Sequence, residues 1–284
     1  MPTASRIRHS VIGWGVRKVL HACYAFQHRN GQPVSYRLPG DVDIQLLPEG
    51  EIAEFLAVQR FFEKAEMALA AAYLRPGMKV IDVGANVGVY SILAERRVGK
   101  DGVVWAFEPS SESYQRLLKN LSLNNCSRVR PVQMALSDRP GTLALQSDPG
   151  FGDAYRYLRT SEVANGDGAE VVPVMSFEFY ASQHGITHAD YMKVDVEGGE
   201  YRVFAGAREF LASSPNLVVM FESEPEWCER AGCRQEDTFE LFRQLGFGLF
   251  AWDSRKRKWN ADEVSVFHAP TVWASRDREA LPVL

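Results

Sequence analysis

Lys193, Asp195 and Glu197 alternate along a short apolar segment, and their side chains could perform acid–base chemistry together. In an extended strand every second residue faces the same side, so these three would share one face and Val194 and Val196 the other. A carboxylate in this position could take a proton from a hydroxyl group, and the lysine could stabilise the resulting oxyanion. Ionisable groups are costly to bury without partners. The three residues therefore form either a reactive site or a lysine–carboxylate pair that orders the following loop.

A further carboxylate, Glu222, follows another apolar run. Hard cations such as magnesium prefer oxygen ligands in proteins. A second chemical route is therefore a magnesium site built from Asp195, Glu197 and Glu222, as an alternative to proton transfer by a carboxylate alone.

The segment from Val80 to Gly88 runs as a buried strand into a turn framed by glycines, and a helical pattern follows it. Glycine permits positive φ angles and close approach of a ligand, and a helix N-terminus offers unpaired N–H groups. The pattern Asp82-x-Gly84-x-Asn86-x-Gly88 departs from the G-x-G-x-x-G spacing of dinucleotide sites and lacks the Gly-Lys-Ser/Thr end of a P-loop. Its carboxylate suits a ligand that carries an ammonium group and no phosphates.

A second apolar strand, residues 103–107, ends in Glu108-Pro109. An acidic residue about 20 residues or more past the first turn can accept hydrogen bonds from both hydroxyl groups of a ribose. The turn and this acid together favour a nucleoside ligand.

These segments resemble the FkbM family of S-adenosylmethionine-dependent methyltransferases. The resemblance is carried by residues 76–88, by Phe107-Glu108-Pro109 and above all by the run from Lys193 to Glu200, and it covers roughly residues 75–250. It implies S-adenosyl-L-methionine as the cofactor and O-methylation of a sugar, glycolipid or polyketide-type natural product, with Lys193, Asp195 and Glu197 as the catalytic residues. The residues expected to bind the cofactor are Asp82, Gly84, Asn86, Gly88, Glu108, Pro109, Met134, Ala135 and Asp195.

Other functions remain open at this stage. The chain lacks the Asn/Asp-Pro-Pro-aromatic run of methyltransferases that act on amino groups, which favours an oxygen acceptor. A nicotinamide-dependent oxidoreductase is disfavoured by Asn86 and Val89 in the turn, and a non-catalytic binding module by the intact acidic residues. His184 and His188 precede the strand predicted at 191–196, at the opposite edge of the sheet, so the topology argues against a histidine base.

Strands that alternate with helices indicate a mostly parallel α/β sheet with helices on both faces. The resemblance implies a Rossmann-like class I methyltransferase with seven strands, the last two forming a hairpin. The strands are predicted at 79–84, 103–108, 129–136, 142–146, 171–175, 191–196, 217–221, 247–252 and 264–268, the last with a continuation towards Trp273. The helices are predicted at 88–97, 111–124, 176–184, 199–211 and 235–245.

The sequence predicts an N-terminal helical extension, residues 1–75, and a methyltransferase domain, residues 76–284. The extension holds two amphipathic helices, at 11–27 and 51–75, around a short hairpin. The first helix is basic and would lie on a membrane surface, on the protein body or on a second subunit, so a homodimer through these helices is one expectation. The glycine-rich segment 147–170 is interpreted as either a substrate lid or a plain mobile loop.

The composition of the chain limits the kinds of partner and cellular location that we expect. The 284 residues carry a net charge of −4, which argues against nucleic acid as a partner. The family resemblance implies a small-molecule or glycan acceptor instead. The four cysteines form no C-x-x-C pair, as in a reduced cytoplasmic protein. We predict no transmembrane segment, because every apolar run is far shorter than about 18 residues.

Overall fold

The computed structural model describes residues 30–38, 42–48, 53, 56, 63–147, 156–159 and 169–284. The strands in this part of the chain are β1 (Val34–Leu38), β2 (Val42–Leu46), β3 (Lys79–Val83), β4 (Val103–Phe107), β5 (Val129–Val132), β6 (Ala135–Leu136), β7 (Gly141–Ser147), β8 (Arg156–Arg159), β9 (Glu170–Met175), β10 (Tyr191–Val194), β11 (Val218–Glu222), β12 (Gly248–Asp253), β13 (Lys258–Asn260) and β14 (Thr271–Ser275). The helices are α1 (Lys64–Tyr73), α2 (Val89–Val98), α3 (Ser111–Leu123), α4 (Phe177–His184), α5 (Glu200–Ala205), α6 (Arg208–Ser213), α7 (Pro225–Arg230), α8 (Gln235–Gln244) and α9 (Glu263–Phe267).

Among the described residues, the central sheet has eight strands in the order β13-β12-β14-β11-β10-β3-β4-β5. Five strands, β11, β10, β3, β4 and β5, lie side by side, and each is parallel to its neighbour. In contrast, β14 runs antiparallel to both β11 and β12. The Rossmann-like α/β class is confirmed, with the predicted antiparallel addition at one end. The predicted number of seven strands is wrong, because Lys258–Asn260 adds β13 at the edge beside β12.

Helices cover both faces of this sheet. Val80 of β3 packs in an apolar cluster with Leu69 of α1 and Leu117 of α3. Its neighbour Ile81 packs on the opposite face, in a cluster that includes Phe204 of α5. A parallel sheet buried on both faces requires apolar residues at successive positions, and for this reason its central strands are recognisable in the sequence.

β6, β9, β7 and β8 form a second sheet, whose existence the sequence did not predict. The single strand predicted at 129–136 is wrong, because residues 129–132 pair with β4 whereas Ala135–Leu136 pair with β9. β7 and β9 confirm the strands predicted at 142–146 and 171–175. Within the predicted lid, β8 pairs with β7, and the rest of residues 148–168 lies outside the described residues, so the lid stays a prediction.

The helix predicted at 199–211 is in fact two helices, α5 and α6. Gly206 lies between them, and a Cβ atom there would stand 2.0 Å from the carbonyl oxygen of Ser137. The close contact with a distant loop explains the small residue at this break.

The segment predicted as the final strand, Val264–His268, forms helix α9. Asp262 caps the helix by accepting a hydrogen bond from the backbone N–H of Ser265 at 2.8 Å. The last strand is β14, which contains Trp273. Local capping therefore overrides the strand preference of the β-branched and aromatic residues in this segment.

The N-terminal segment shares the core of the central sheet. β1 and β2 form the predicted antiparallel hairpin, and α1 confirms the C-terminal part of the helix predicted at 51–75. Ile44 of β2 belongs to the same apolar cluster as Val80 of β3. The helix predicted at 11–27 lies outside the described residues, so the domain boundary and the homodimer stay predictions. No helix within the described residues is long and apolar enough to span a bilayer.

Candidate active site

A cleft opens at the carboxyl ends of β3, β4 and β10, where open α/β sheets bind ligands. Its lining residues, within the described part of the chain, are Val83, Gly84, Ala85, Asn86, Val87, Val89, Tyr90, Phe107, Glu108, Pro109, Ser113, Met134, Ala135, Leu136, Leu145, Lys193, Asp195, Val196 and Glu197. Most of the predicted site residues therefore meet in one place, whereas Asp82 and Gly88 are not among these lining residues.

The turn after β3 adopts left-handed backbone conformations. The φ angles of Gly84, Asn86 and Gly88 are +76°, +48° and +95°. A Cβ atom on Gly84 would lie 1.9 Å from the carbonyl oxygen of Asp195, and one on Gly88 would lie 2.7 Å from Cδ1 of Leu117. From the sequence, these glycines were expected to permit the close approach of a ligand. The structure shows that neighbouring segments of the protein itself also require them.

Glu108 connects this turn to the end of β4. Its Oε2 atom accepts a hydrogen bond from the backbone N–H of Asn86 at 2.9 Å, and its Oε1 atom accepts one from the backbone N–H of Ser110 at 2.8 Å. Each carboxylate oxygen has two lone pairs. Glu108 can therefore hold the turn and also accept hydrogen bonds from hydroxyl groups of a ligand in the cleft.

Asp82 lies beneath the cleft rather than in its wall. The residue is 1% exposed, and its Oδ2 atom accepts a hydrogen bond from the Ser91 hydroxyl at 2.6 Å. Burial raises the pKa of the Asp82 carboxyl, and the nearby Lys193 and Ser91 oppose that rise. The expectation that Asp82 holds the ammonium end of a ligand, directly or through water, stays a prediction; the Oδ1 atom of Asp82 lies 3.9 Å from Nζ of Lys193.

Lys193 is a buried cation surrounded by oxygen atoms. Its Nζ lies 3.2 Å from Oδ2 of Asp195, 3.5 Å from the carbonyl oxygen of Gly84 and 3.9 Å from Oδ1 of Asp82. The ammonium also stands 4.8 Å from the centroid of the Tyr90 ring. Burial by itself lowers the pKa of Lys193, but the carboxylates of Asp195 and Asp82 raise it more, so the pKa lies above its ordinary value. Lys193 therefore stays protonated at neutral pH and is not a base.

Asp195 and Glu197 stand in a tight turn after β10. The strand ends at Val194, two residues before the predicted end, so the alternation of side chains along a strand does not extend to them. Glu197 and Gly198 have φ angles of +55° and +100°. Both carboxylates still line the cleft beside Lys193. The predicted grouping is right, but the turn rather than strand alternation produces it.

The side chains of Asp195, Glu197 and Glu222 offer oxygen atoms that all lie within 4.8 Å of one another. These are the residues that the sequence suggested for magnesium, and such oxygen atoms suit a hard cation. The Lys193 ammonium already supplies a positive charge beside Asp195. Because an acidic cluster by itself does not define a metal site, magnesium stays a prediction.

Comparison with known proteins identifies the family. Residues 82–249, more than half of the 284-residue chain, match the methyltransferase FkbM domain. The chain belongs to the FkbM methyltransferase family. It is therefore a methyltransferase, and the family implies S-adenosylmethionine as the cofactor.

Several relatives of this FkbM-family methyltransferase are known. Methyltransferase sdnD of Sordaria araneosa is 32% identical over 219 residues, which cover 67% of this chain and 80% of that protein. The 31-O-demethyl-FK506 methyltransferase FkbM of Streptomyces tacrolimicus is 29% identical over 200 residues, with 61% and 75% covered. The 2-O-methyltransferase NoeI of Sinorhizobium fredii is 24% identical over 218 residues, with 70% and 87% covered. The crystal structure of methyltransferase FkbM from Methylobacillus flagellatus aligns with a TM-score of 0.44 and 14% identity, over 92% of this chain and 60% of that chain.

Some cleft residues of this FkbM-family chain were not predicted from sequence. Tyr90 could have been, because it lies in the first turn of the helix that follows the glycine turn; its hydroxyl donates a hydrogen bond to Oε2 of Glu63 at 2.8 Å. Leu136 and Leu145 carried no signal, because the second sheet brings them into the cleft. His184, which stacks on Tyr180 with 3.9 Å between ring centroids, is absent from the described lining residues, in agreement with the topological argument.

Glu200 supports the Asp195–Gly198 turn from the protein interior. It is 2% exposed, and its Oε1 atom accepts hydrogen bonds from the backbone N–H groups of Val196 at 3.0 Å and Gly198 at 3.3 Å. Burial raises the pKa of Glu200 to about 7, and these N–H groups oppose the rise only in part. Glu200 therefore titrates near neutral pH.

This raised pKa predicts a pH-dependent stability. Between pH 4.5, the ordinary pKa, and about 7, the folded protein keeps the Glu200 proton that the unfolded chain has released. The stabilisation is complete below this window and is lost as pH rises through it, by up to about 3 kcal/mol. We expect the free energy of unfolding of the native protein, relative to that of Glu200→Gln, to fall over this range in urea titrations. Parallel pH profiles for the two proteins would contradict the assignment.

Proposed function

We propose that this FkbM-family methyltransferase transfers the methyl group of S-adenosylmethionine to a hydroxyl oxygen of a small-molecule or glycan acceptor. The observation that supports this reaction is a fixed cation, Lys193, beside the carboxylates of Asp195 and Glu197 in one cleft. A hydroxyl acceptor must lose its proton to a base, and its oxygen gains negative charge as it does so. The carboxylates and the ammonium group meet these two requirements.

The cofactor would lie along the glycine turn. Glu108 would accept hydrogen bonds from the two ribose hydroxyl groups. The Gly84 carbonyl and the Asp195 carboxylate, which now face Lys193, suit the ammonium group of the cofactor. The neighbouring surface suited to the adenine ring consists of Pro109, Met134 and Ala135.

Methyl transfer then depends on alignment and on one proton. The bound cofactor supplies a methyl group on a positively charged sulfur, which is already activated for displacement. Asp195 or Glu197 would take the proton of the acceptor's hydroxyl group, so that its oxygen can accept the methyl group. Lys193 stays protonated and stabilises the negative charge on the acceptor oxygen until that bond has formed. Alignment of the oxygen with the methyl group provides the remaining acceleration.

The names of two relatives support a hydroxyl acceptor. One is a 31-O-demethyl-FK506 methyltransferase and the other a 2-O-methyltransferase. We infer that the acceptor of this protein is a hydroxyl group of a sugar, a glycolipid or a polyketide-type natural product.

An acceptor screen tests the proposed function. Purified protein is mixed with S-adenosylmethionine and with glycosides or macrolide-like alcohols, and release of S-adenosylhomocysteine is measured. We expect release with at least one alcohol and none with its deoxy analogue, which lacks the reacting oxygen. If amines are the only productive acceptors, the O-methyl assignment is wrong although the cofactor assignment survives.

A further inference from the structure

The side chain of Asn120, on α3, connects two distant parts of the chain. Its Oδ1 atom accepts a hydrogen bond from the backbone N–H of Gln45 at 2.8 Å, and its Nδ2 atom donates to the carbonyl oxygen of Gln45 at 3.2 Å. The same Nδ2 atom donates to the carbonyl oxygen of Val87 at 2.9 Å. Asn120 is 1% exposed, so its amide joins the N-terminal hairpin to the glycine turn inside the protein.

Val87 lies where the backbone conformation of the glycine turn depends on few hydrogen bonds. It lines the cleft between Asn86 and Gly88, both of which have left-handed backbones. The first backbone hydrogen bond of α2 runs from the N–H of Ile92 to the carbonyl oxygen of Gly88, so the helix does not hold the Val87 carbonyl group. Glu108 holds the N–H of Asn86 on one side of the turn, and Asn120 holds the carbonyl oxygen of Val87 on the other.

Asn124, one helical turn later, provides a matched comparison. It contacts the hairpin in the same way, because its Oδ1 atom accepts a bond from the N–H of Asp43 at 3.0 Å and its Nδ2 atom donates to the Asp43 carbonyl oxygen. Its Nδ2 atom also donates a hydrogen bond to the carbonyl oxygen of Asn120 at 2.8 Å, and its Oδ1 atom accepts one from the Arg96 guanidinium at 3.0 Å. Both asparagines therefore attach the hairpin to α3, but the hydrogen bonds of Asn124 within the described residues do not reach the glycine turn.

We propose that Asn120 is a positioning residue that anchors the cofactor-binding turn on the N-terminal hairpin. β1 and β2 precede the family match, which begins at residue 82, so a segment outside the FkbM domain helps to set the affinity for the cofactor. The inference rests on the proposed position of the cofactor along the turn. Without the hydrogen bond from Asn120 to the carbonyl oxygen of Val87, the glycine turn could adopt other backbone conformations. Cofactor binding would then have to order the turn, which lowers the affinity.

Titration calorimetry with S-adenosylmethionine and S-adenosylhomocysteine tests this role in the full chain. We expect Asn120→Ala to raise the dissociation constants of both ligands about 10-fold, the scale of one lost hydrogen bond. Turnover at saturating cofactor should change little, because Asn120 contacts neither acceptor nor cofactor in the proposed site. Asn120→Ala and Asn124→Ala should lower the melting temperature by similar amounts, because each loses its hydrogen bonds to the hairpin. Asn124→Ala should nevertheless leave both dissociation constants within about 2-fold of the native values.

Each result decides the question. Equal affinity in Asn120→Ala and the native protein, or an equal loss of affinity in Asn124→Ala, would overturn the positioning role. If Asn120→Ala does not fold, Asn120→Leu gives the same test, because it keeps the approximate size of the buried side chain and removes the donor to Val87. If the native protein binds neither ligand, the proposed cofactor position fails, which is a separate outcome.

Discussion

Turnover is expected to fall by about 10²–10⁴-fold in one of two amide variants, Asp195→Asn or Glu197→Gln, and to change much less in the other. Each substitution keeps the shape of the side chain and removes its ability to take a proton. Both carboxylates line the cleft, so kinetics with a productive acceptor would identify which of them is the base. Affinity for the cofactor should change little in Glu197→Gln, whereas Asp195→Asn should also weaken it, because Asp195 is proposed to contact the ammonium group of the cofactor.

Thermal stability separates this role from a structural one. If the carboxylates serve chiefly to pair with Lys193 and to order the turn, both variants should melt earlier and keep most of their activity per folded molecule. A magnesium site would have a different signature, since Glu222→Gln would then be inactive too, and a chelator would abolish activity that added magnesium restores. Full activity in both folded amide variants would refute the assignment of the base.

Gly84→Ala is expected to lower the free energy of unfolding by about 2–5 kcal/mol and to abolish cofactor binding. The new Cβ atom would stand 1.9 Å from the carbonyl oxygen of Asp195, so β3 and the turn after β10 would have to separate. These are the two segments that carry the proposed cofactor and proton-transfer groups. Urea denaturation and calorimetry with S-adenosylmethionine would measure the two losses.

Gly77→Ala is the matched control for this substitution. Gly77 has a φ angle of +85°, similar to that of Gly84, but a Cβ atom there would meet no described atom within 4 Å. It should lose about 1–2 kcal/mol, the cost of a left-handed backbone for alanine, and should bind the cofactor normally. Similar losses in the two variants would mean that backbone strain, rather than the contact with Asp195, explains the requirement for glycine at position 84.

Local sequence patterns were sufficient to predict that the site residues meet at one edge of the sheet. The glycine turn, Glu108 and the Lys193–Glu197 segment each come directly after a short apolar run, and the carboxyl ends of parallel strands lie at one edge of a sheet. Errors in the predicted ends of the strands do not change which residues meet at this edge. β10 stops at Val194 rather than Val196, and Asp195 and Glu197 still reach the cleft.

The tertiary structure decided which neighbour each of these residues meets. The sequence could not show that Asp82 would lie behind Lys193, that the Asp195 carbonyl group would exclude a side chain at position 84, or that the second sheet would bring Leu145 into the cleft. Nor could it show that Asn120 would join Gln45 to Val87. Periodicity and turn motifs report local backbone preference and the side of an element that is buried. Contacts between residues tens of positions apart depend instead on how complete elements pack, because each buried polar group takes whatever partner the packed chain places within reach.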